Sequence, residues 1–301
     1  MKIRAFLSII HKIKEGFSLI IIGEKLNGAI PVVAQAIADR NGEFIRQRAL
    51  AQARAAQDED YFEEPVPLYI DVCASTDPAV ELETLRWMIG EVEAAIPEEM
   101  DNVAIAVDSP SASICAQAFR FCRKPGIVNS VSMEKDADGV VKTDIVFPAI
   151  ADTDWGCIAL LCESGIPQSV EDRMQVFDKI MAKAREYGIA PSRLYIDPLV
   201  EAAATNQAAF TLFSECCRRI KDQYPDIHLT SGLSNISFGF PGFRKPLNMA
   251  FLALAMNAGM DSAIVDPTNK DMVGLMYAVE LLREQDEDCM NYIAAHRQGL
   301  L

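Results

Sequence analysis

Histidine is scarce in this chain: three in 301 residues, at His11, His228 and His296. They are far apart, so a zinc centre is poorly supported. The eight cysteines include no Cys-x-x-Cys and no framework spacing. Cys216 and Cys217 sit together on a predicted helix, while Cys157 and Cys162 fall at odd separation on one predicted strand, hence on opposite faces. Reduced, mostly buried thiols in a cytoplasmic protein are expected. Positive charge is also short, with 28 Lys and Arg against 43 Asp and Glu and a formal net charge of −15. A surface of that sign repels phosphate backbones and argues against nucleic acid as a partner. No apolar run reaches the roughly 18 residues of a membrane span. The opening Met1–Lys14 stretch is basic, its apolar run is broken by His11, Lys12 and Lys14, and no Ala-x-Ala site follows. It reads as an extension, residues 1–17, ahead of a domain over 18–301, and not as a secretion signal. Gly/Ser/Pro-rich linkers and low-complexity runs are missing as well, which favours one domain.

What is present is a repeated alternation. Short Val- and Ile-rich runs occur at 18–26, 67–73, 102–108, 126–132, 155–162, 193–200, 226–235 and 262–267. Amphipathic stretches separate them, such as Ser169–Tyr187, with Gly188 as its stop, and Asn206–Tyr224. Alternating strands and helices imply an α/β fold with a parallel sheet covered by helices. About eight units in roughly 250 residues is the size of a (β/α)8 TIM barrel; a doubly wound open sheet is the alternative. Gly23-Glu-Lys-Leu-Asn-Gly28 lacks the Gly-x-Gly-x-x-Gly order of a dinucleotide site.

Nearly every predicted strand ends in a polar residue: Glu24 and Asn27, then Asp71, Asp108, Asn129, Glu163, Asp197, Asn235 and Asp266. In a barrel these ends share the face where active sites are built. A bland alternative exists for each of them, since Asp or Asn at a strand end often caps the next helix. Several, however, interrupt apolar runs, as in Tyr195-Ile-Asp-Pro-Leu199. Carboxylates accept hydrogen bonds and amides both accept and donate. Such a ring suits a ligand with several N–H donors beside a carbonyl, as in a 2-amino-4-oxo-pyrimidine. A sugar or a divalent cation are rivals, although the interleaved Asn129 and Asn235 fit a cation less well. Arg244 and Lys245 form only a small basic pair for phosphoryl chemistry.

Seven short motifs together carry a resemblance: Ile22-Gly-Glu-Lys-Leu-Asn27, Val107-Asp-Ser109, Val128-Asn-Ser130, Ser164-Gly-Ile-Pro167, Tyr195-Ile-Asp-Pro-Leu199, Gly232-Leu-Ser-Asn-Ile-Ser237 and Arg244-Lys-Pro-Leu-Asn248. In this order and spacing the chain resembles the methyltetrahydrofolate:corrinoid protein methyltransferases. These are pterin-binding barrels related to dihydropteroate synthase and to the folate domain of methionine synthase. The resemblance implies a (β/α)8 homodimer whose substrates are tetrahydrofolate or 5-methyltetrahydrofolate and a cobalamin carried by a separate corrinoid protein, with no metal bound by this chain. It implies that Asp108, Asn129 and Asp197 hydrogen-bond the pterin, that Asp71 lies near the ring floor, and that Arg244 belongs to a loop over the folate. Asn235 corresponds to the amide beside N5, the nitrogen that carries the methyl group. Gly232 and Ser234 share its motif and join the pterin-binding set; Glu24, Asn27 and Asp266 are further candidates.

The chain has no Asp-x-His-x-x-Gly, the family-level mark of a corrinoid domain, so the cobalt is expected on a partner. Related systems serve acetyl-CoA synthesis and demethylation in anaerobes. Where some relatives have Gln three residues after the N5 asparagine, this chain has Phe238. Two rivals remain within the resemblance. A dihydropteroate synthase would carry a Lys at the end of strand seven, where Leu233-Ser-Asn235 stands. A non-catalytic folate-binding barrel could discard Asn235.

Overall fold

In the computed structural model, which describes residues 19–56, 66–297 and Gly299, the apolar runs become eight strands of one sheet. The extension expected over 1–17 lies outside the described residues. The strands are β1 Ile20–Asn27, β2 Leu68–Cys73, β3 Val103–Asp108, β4 Ile127–Val131, β5 Gly156–Leu160, β6 Leu194–Asp197, β7 His228–Leu229 and β8 Ser262–Val265. Their order is β7-β6-β5-β4-β3-β2-β1-β8, and every paired neighbour runs parallel. The helices between them are α1 Pro31–Ala38, α2 Gly42–Ala55, α3 Pro78–Ala95, α4 Ala112–Ala118, α5 Lys142–Ile150, α6 Val170–Glu186, α7 Ala209–Gln223, α8 Arg244–Asn257, α9 Lys270–Leu282 and α10 Met290–Arg297. This is the expected (β/α)8 barrel.

Helix α6 shows how locally the chain is punctuated. The Ser169 hydroxyl accepts from the Asp172 N–H at 3.1 Å, acids fill the first turn, Lys183 and Arg185 fill the last, and Gly188 leaves the helix at φ +70°. Each feature satisfies or complements an end of the helix that its own ladder leaves open.

Strand period two divides the apolar side chains. One set faces the helices and forms the large outer core. The other set, Ile20, Ile22, Tyr69, Ala104, Ala106, Ile127, Ile158 and Tyr195, forms a separate cluster that fills the barrel. The buried Tyr69 and Tyr195 hydroxyls approach to 3.5 Å, and Tyr195 stacks on His228 with ring centroids 4.6 Å apart.

Two strands differ from expectation. Strand seven, expected over 226–235, is only His228–Leu229. Thr230 still donates to the Ile196 carbonyl at 2.9 Å and Gly232 bridges Ile264, but the chain then turns through a single 3-10 turn, Leu233–Asn235. The reason lies in the seam between β7 and β8. Those strands meet through few bonds, among them Ile264 N–H to Ser231 C=O at 3.1 Å and Leu229 N–H to the Asp261 carboxylate at 2.7 Å. With so little ladder to extend, the backbone N–H of Asn235 bonds Gly232 within the turn. Strand five stops at Leu160, so Cys162 lies beyond it. All eight cysteines are free, and Cys73, Cys115, Cys157, Cys162, Cys216 and Cys217 are buried. Among the described residues no helix is long and apolar enough to cross a membrane.

Candidate active site at the carboxyl end of the barrel

Counting two residues on from each inner apolar side chain reaches the polar set. Ile22 leads to Glu24, Tyr69 to Asp71, Ala106 to Asp108, Ile127 to Asn129, Tyr195 to Asp197 and Ile264 to Asp266. These residues therefore line the inner wall just above the apolar plug. Asp71 and Asp197 are 3% and 5% exposed. The Asn129 amide donates to Asp71 Oδ1 at 3.1 Å. On β3, between those strands, stands Ala106, in register with Asp71 and with Ile127, and its small side chain leaves the gap open for the amide.

Burial dominates the electrostatics. It pushes the Asp197 carboxyl up to about 7, against the opposing Leu199 N–H at 2.8 Å and the Arg173 charge. Burial likewise pushes Asp108 up to about 6, with the Cys73 thiol opposing and Glu81 adding to it. Asp71 is held well above the usual carboxylate range by burial first and by neighbouring Asp108 next, while its hydrogen bond from Asn129 works the other way. Sequence reasoning passed over Glu81, which is 2% exposed and accepts from the Ser109 hydroxyl at 2.7 Å, fixing the residue after Asp108. A carboxylate in the first turn of a helix looks like an ordinary N-terminal acid, so nothing in the sequence singled it out.

The β1–β8 corner is self-paired. Lys25 bridges Asp266 at 2.9 Å, and Asp266 also accepts from the Thr268 N–H and hydroxyl at 3.0 and 2.7 Å. These bonds overcome a desolvation penalty and hold its carboxyl below the usual range. Burial, then negative Asp266, lift Glu24, with Lys25 opposing. Asn27 accepts from the Ala29 N–H at 2.9 Å and from the Ser75 hydroxyl at 3.3 Å. For Asn27 and Asp266 the turn-capping role accounts for the side chains. Glu163 leaves the ring altogether: it lies on an exposed loop past the end of β5 and pairs with Lys179 at 2.5 Å.

Asn235 is exposed and stands on the 3-10 turn, not on a strand end. Among the described residues no hydrogen bond involves its side chain. Gly232 lies beneath it, and a Cβ there would come within 3.3 Å of its amide nitrogen. Arg244 opens α8 and shapes the same turn, donating to the Ser234 carbonyl at 2.7 Å and to the Ser237 hydroxyl at 2.9 Å. Next to this turn are fully buried hydroxyls without partners, Thr230 Oγ1 and Ser231 Oγ. Thr230 is two residues past His228, which places it on the inner face beside Asp197. A Thr-Ser pair closing an apolar strand was the signal that could have found them.

Among the described residues no group of three or more His, Cys, Asp or Glu is arranged to hold a metal ion. A cavity of about 280 Å³ opens at the other end of the barrel, beside the start of β3 and the end of α3. Its cations are held: Arg123 pairs with Glu93 at 3.2 Å, and Lys124 donates to the Met100 and Asp101 carbonyls. That end of a barrel serves stability.

Residues 69–266, from β2 to the end of β8, match the family model described as pterin binding enzyme. The chain belongs to the pterin-binding enzymes. Among its relatives in this family, the methylcorrinoid:tetrahydrofolate methyltransferase of Eubacterium limosum is 43% identical over 284 residues, covering 93% of this chain and 97% of that protein. Methionine synthase of Mycobacterium leprae is 30% identical over 177 residues, 55% of this chain but 14% of that longer protein. Among solved structures, Yersinia pestis dihydropteroate synthase with a pterine-sulfa conjugate superposes with a TM-score of 0.62 at 17% identity, covering 89% of this chain and 95% of that one. Xanthomonas albilineans dihydropteroate synthase with 4-aminobenzoic acid gives 0.61 at 16% identity, covering 88% and 92%. At those identities the likeness shows the shared barrel.

Proposed function

We propose that the protein is a methyltransferase moving a methyl group between the cobalt of a corrinoid, carried on a separate protein, and N5 of tetrahydrofolate. The relative from Eubacterium limosum supports this over nearly the full length of both chains. The observation that carries it is the inner wall itself. Asp71, Asp108, Asn129 and Asp197 line one inner wall at the carboxyl end of the apolar plug, with Asn235 on the open edge. That wall matches a flat heterocycle with donors along one side. Asp108 and Asp197 accept from ring and exocyclic N–H groups, Asn129 reads a mixed edge, and Asp71 backs Asn129 from below. Gly232 and Ser234 form the wall of the turn, and Arg244 holds that turn in shape. Glu24, Asn27 and Asp266 frame the far side.

In the direction from corrinoid to folate, the N5 lone pair attacks the methyl carbon. The cobalt–carbon bond breaks with its electron pair left on cobalt, which becomes cobalt(I). N5 then carries one positive charge and loses its proton. Asn235 suits this step because its carbonyl accepts from protonated N5–H and its NH2 donates to the neutral lone pair. In the reverse direction the proton has to be on N5 at or before the transition state of cobalt(I) attack, since an amide anion leaves poorly. The contribution of Asn235 is positional and electrostatic. His228 takes no part: it is stacked on Tyr195 and bonded to Asp261 at the opposite end of the barrel.

The homodimer rests on the family resemblance and the cytoplasmic location on the free, mostly buried thiols; sedimentation velocity checks the first. The central test is calorimetric titration with tetrahydrofolate and 5-methyltetrahydrofolate in EDTA, followed by anaerobic incubation of tetrahydrofolate with methylcobalamin while the spectrum is followed. Binding together with conversion of methylcobalamin to cob(I)alamin is expected. Failure to bind either folate would remove the pterin pocket from consideration.

A further inference from the structure

We propose that Arg173 is the positioning residue of the pterin pocket, stapling the two loops beside Asp197 and holding the turn that orients its carboxylate. The inference rests on Asp197 binding the pterin. Among the described residues Arg173 is the largest fully buried side chain, at 0% exposure. It projects from α6 and donates to three backbone carbonyls and one carboxylate: Nε to the Pro167 carbonyl at 3.0 Å, Nη1 to the Pro198 and Leu199 carbonyls at 2.9 and 2.7 Å, and Nη2 to the Glu201 carboxylate at 3.4 Å. Pro167 belongs to the loop after β5, and Pro198 and Leu199 to the loop after β6. One planar fork thus ties two mouth loops together, which a point-charge ammonium cannot do.

The turn it holds is a costly one. Leu199 has φ +64°, in the left-handed region that a bulky side chain avoids. Its carbonyl is fixed by Arg173, and its N–H donates to Asp197 Oδ1 at 2.8 Å. The chain of contacts therefore runs from guanidinium to turn to carboxylate. It leaves the second carboxylate oxygen of Asp197 for a ligand. Burying an arginine also carries a desolvation penalty that an apolar side chain packed in its place would not.

Charge points the same way. The groups facing Asp197 are the Arg173 guanidinium from α6 and the Cys217 thiol from α7, which burial keeps neutral. Glu201 and Cys216 face the guanidinium itself. Arg173 is thus the cation that favours the ionised carboxylate, the form that accepts the N–H donors of a pterin.

The test is calorimetric titration with tetrahydrofolate from pH 6 to 9, with unfolding temperatures recorded beside it. Arg173→Lys keeps the charge and loses the fork, so affinity should fall several-fold while the pH midpoint of binding stays in place. Arg173→Met loses both; affinity should fall roughly tenfold to a hundredfold and the midpoint should move to higher pH. Adding Leu199→Gly to Arg173→Lys should restore affinity, because glycine adopts the left-handed turn without steric cost. Wild-type affinity in Arg173→Lys, or no recovery on adding Leu199→Gly, would overturn the role, and the lysine variant decides this even if the methionine variant does not fold. Asp197→Asn separates the two layers of the argument. If it leaves affinity unchanged, the pocket reading itself fails; if it weakens binding while the Arg173 variants do not, only the role of Arg173 falls.

Discussion

The two arcs of the barrel mouth carry similar side chains on different supports. From β2 to β6, Asp71, Asp108, Asn129 and Asp197 project from regular strands and are set above a filled plug. At β7 the ladder is two residues long, and Asn235 sits exposed on a single turn with no partner for its amide among the described residues. The first arc is suited to recognition. Its groups are held in place before the ligand arrives, so little ordering is left to be done on binding. The second arc is suited to a nitrogen that changes state. A side chain that has to accept at one moment and donate at another gains from freedom that a buried strand position denies it.

The largest effect should come from breaking the first arc. Asp197→Ala leaves ligand donors unpaired in a buried site and should cost about 2–3 kcal/mol of tetrahydrofolate affinity, measured by calorimetry. Unchanged affinity would mean that the wall does not hold the pterin. Asn235→Ala probes the second arc. It should lower kcat by roughly tenfold to a hundredfold with a smaller change in folate Kd, because its hydrogen bond gains strength as charge develops on N5. Single-turnover kinetics separates the two quantities. A rise in KM alone would make Asn235 part of the recognition arc, and the contrast between the arcs would dissolve.

The pH dependence sharpens the same contrast. Asp197 and Asp108 are raised in the folded chain to about 7 and about 6, from about 3.9 when unfolded. Between those limits the folded state holds protons that the unfolded state has released, so both groups favour folding at the low end and that stability is lost as pH rises toward 7. Asp197→Asn removes one such group. Its melting temperature relative to the parent should therefore increase between pH 5 and 8 by a few degrees, while folate binding weakens. The stabilisation that tetrahydrofolate confers on the parent should grow over the same range, because the proposed pterin contact is made by the ionised carboxylate. Differential scanning fluorimetry with and without ligand reads both slopes, and parallel slopes would contradict the assignment. No such trend should accompany Asn235 variants, since an amide does not titrate.

The polar wall from β2 to β6 was legible in the sequence because two periodicities coincide there. An Asp or Asn two residues past an inward Tyr, Ala or Ile has to point inward as well, and short runs such as Ala104-Ile-Ala-Val-Asp108 carry that parity unbroken. The transfer arc was legible only as a motif. Nothing in Asp226–Asn235 announces that pairing ends at Leu229, because the limit is set by how few bonds β7 makes to β8 across the seam. Glu163 failed for a related reason: the strand expected to end at Cys162 stops at Leu160, so the acid falls on a loop. Arg173 and Glu81 were invisible because burial is a property of the assembled layers. A helix carrying Glu171, Asp172 and Arg173 in its first turns reads as a solvated face until the loops that close over it are known.

The smallest expected effect lies at the outer edge of the transfer arc. Phe238 and Phe243 are 71% and 64% exposed, on a loop whose Gly239 and Gly242 have φ of +83° and +74°. Phe238 and Phe243 follow Asn235 by three and eight residues. In the proposed reaction the corrinoid protein has to bring its cobalt to N5 over this edge, so an exposed aromatic side chain here meets the partner before it meets the folate. Phe238→Gln should then leave folate Kd unchanged and raise KM for the corrinoid protein a few-fold, about 1 kcal/mol, as expected for a contact away from the centre of an interface. With free methylcobalamin in place of the protein, the rate should not change. Equal losses with the free cofactor and with the protein would instead place Phe238 against the reacting groups, and the two arcs would have to be redrawn with the loop inside the site.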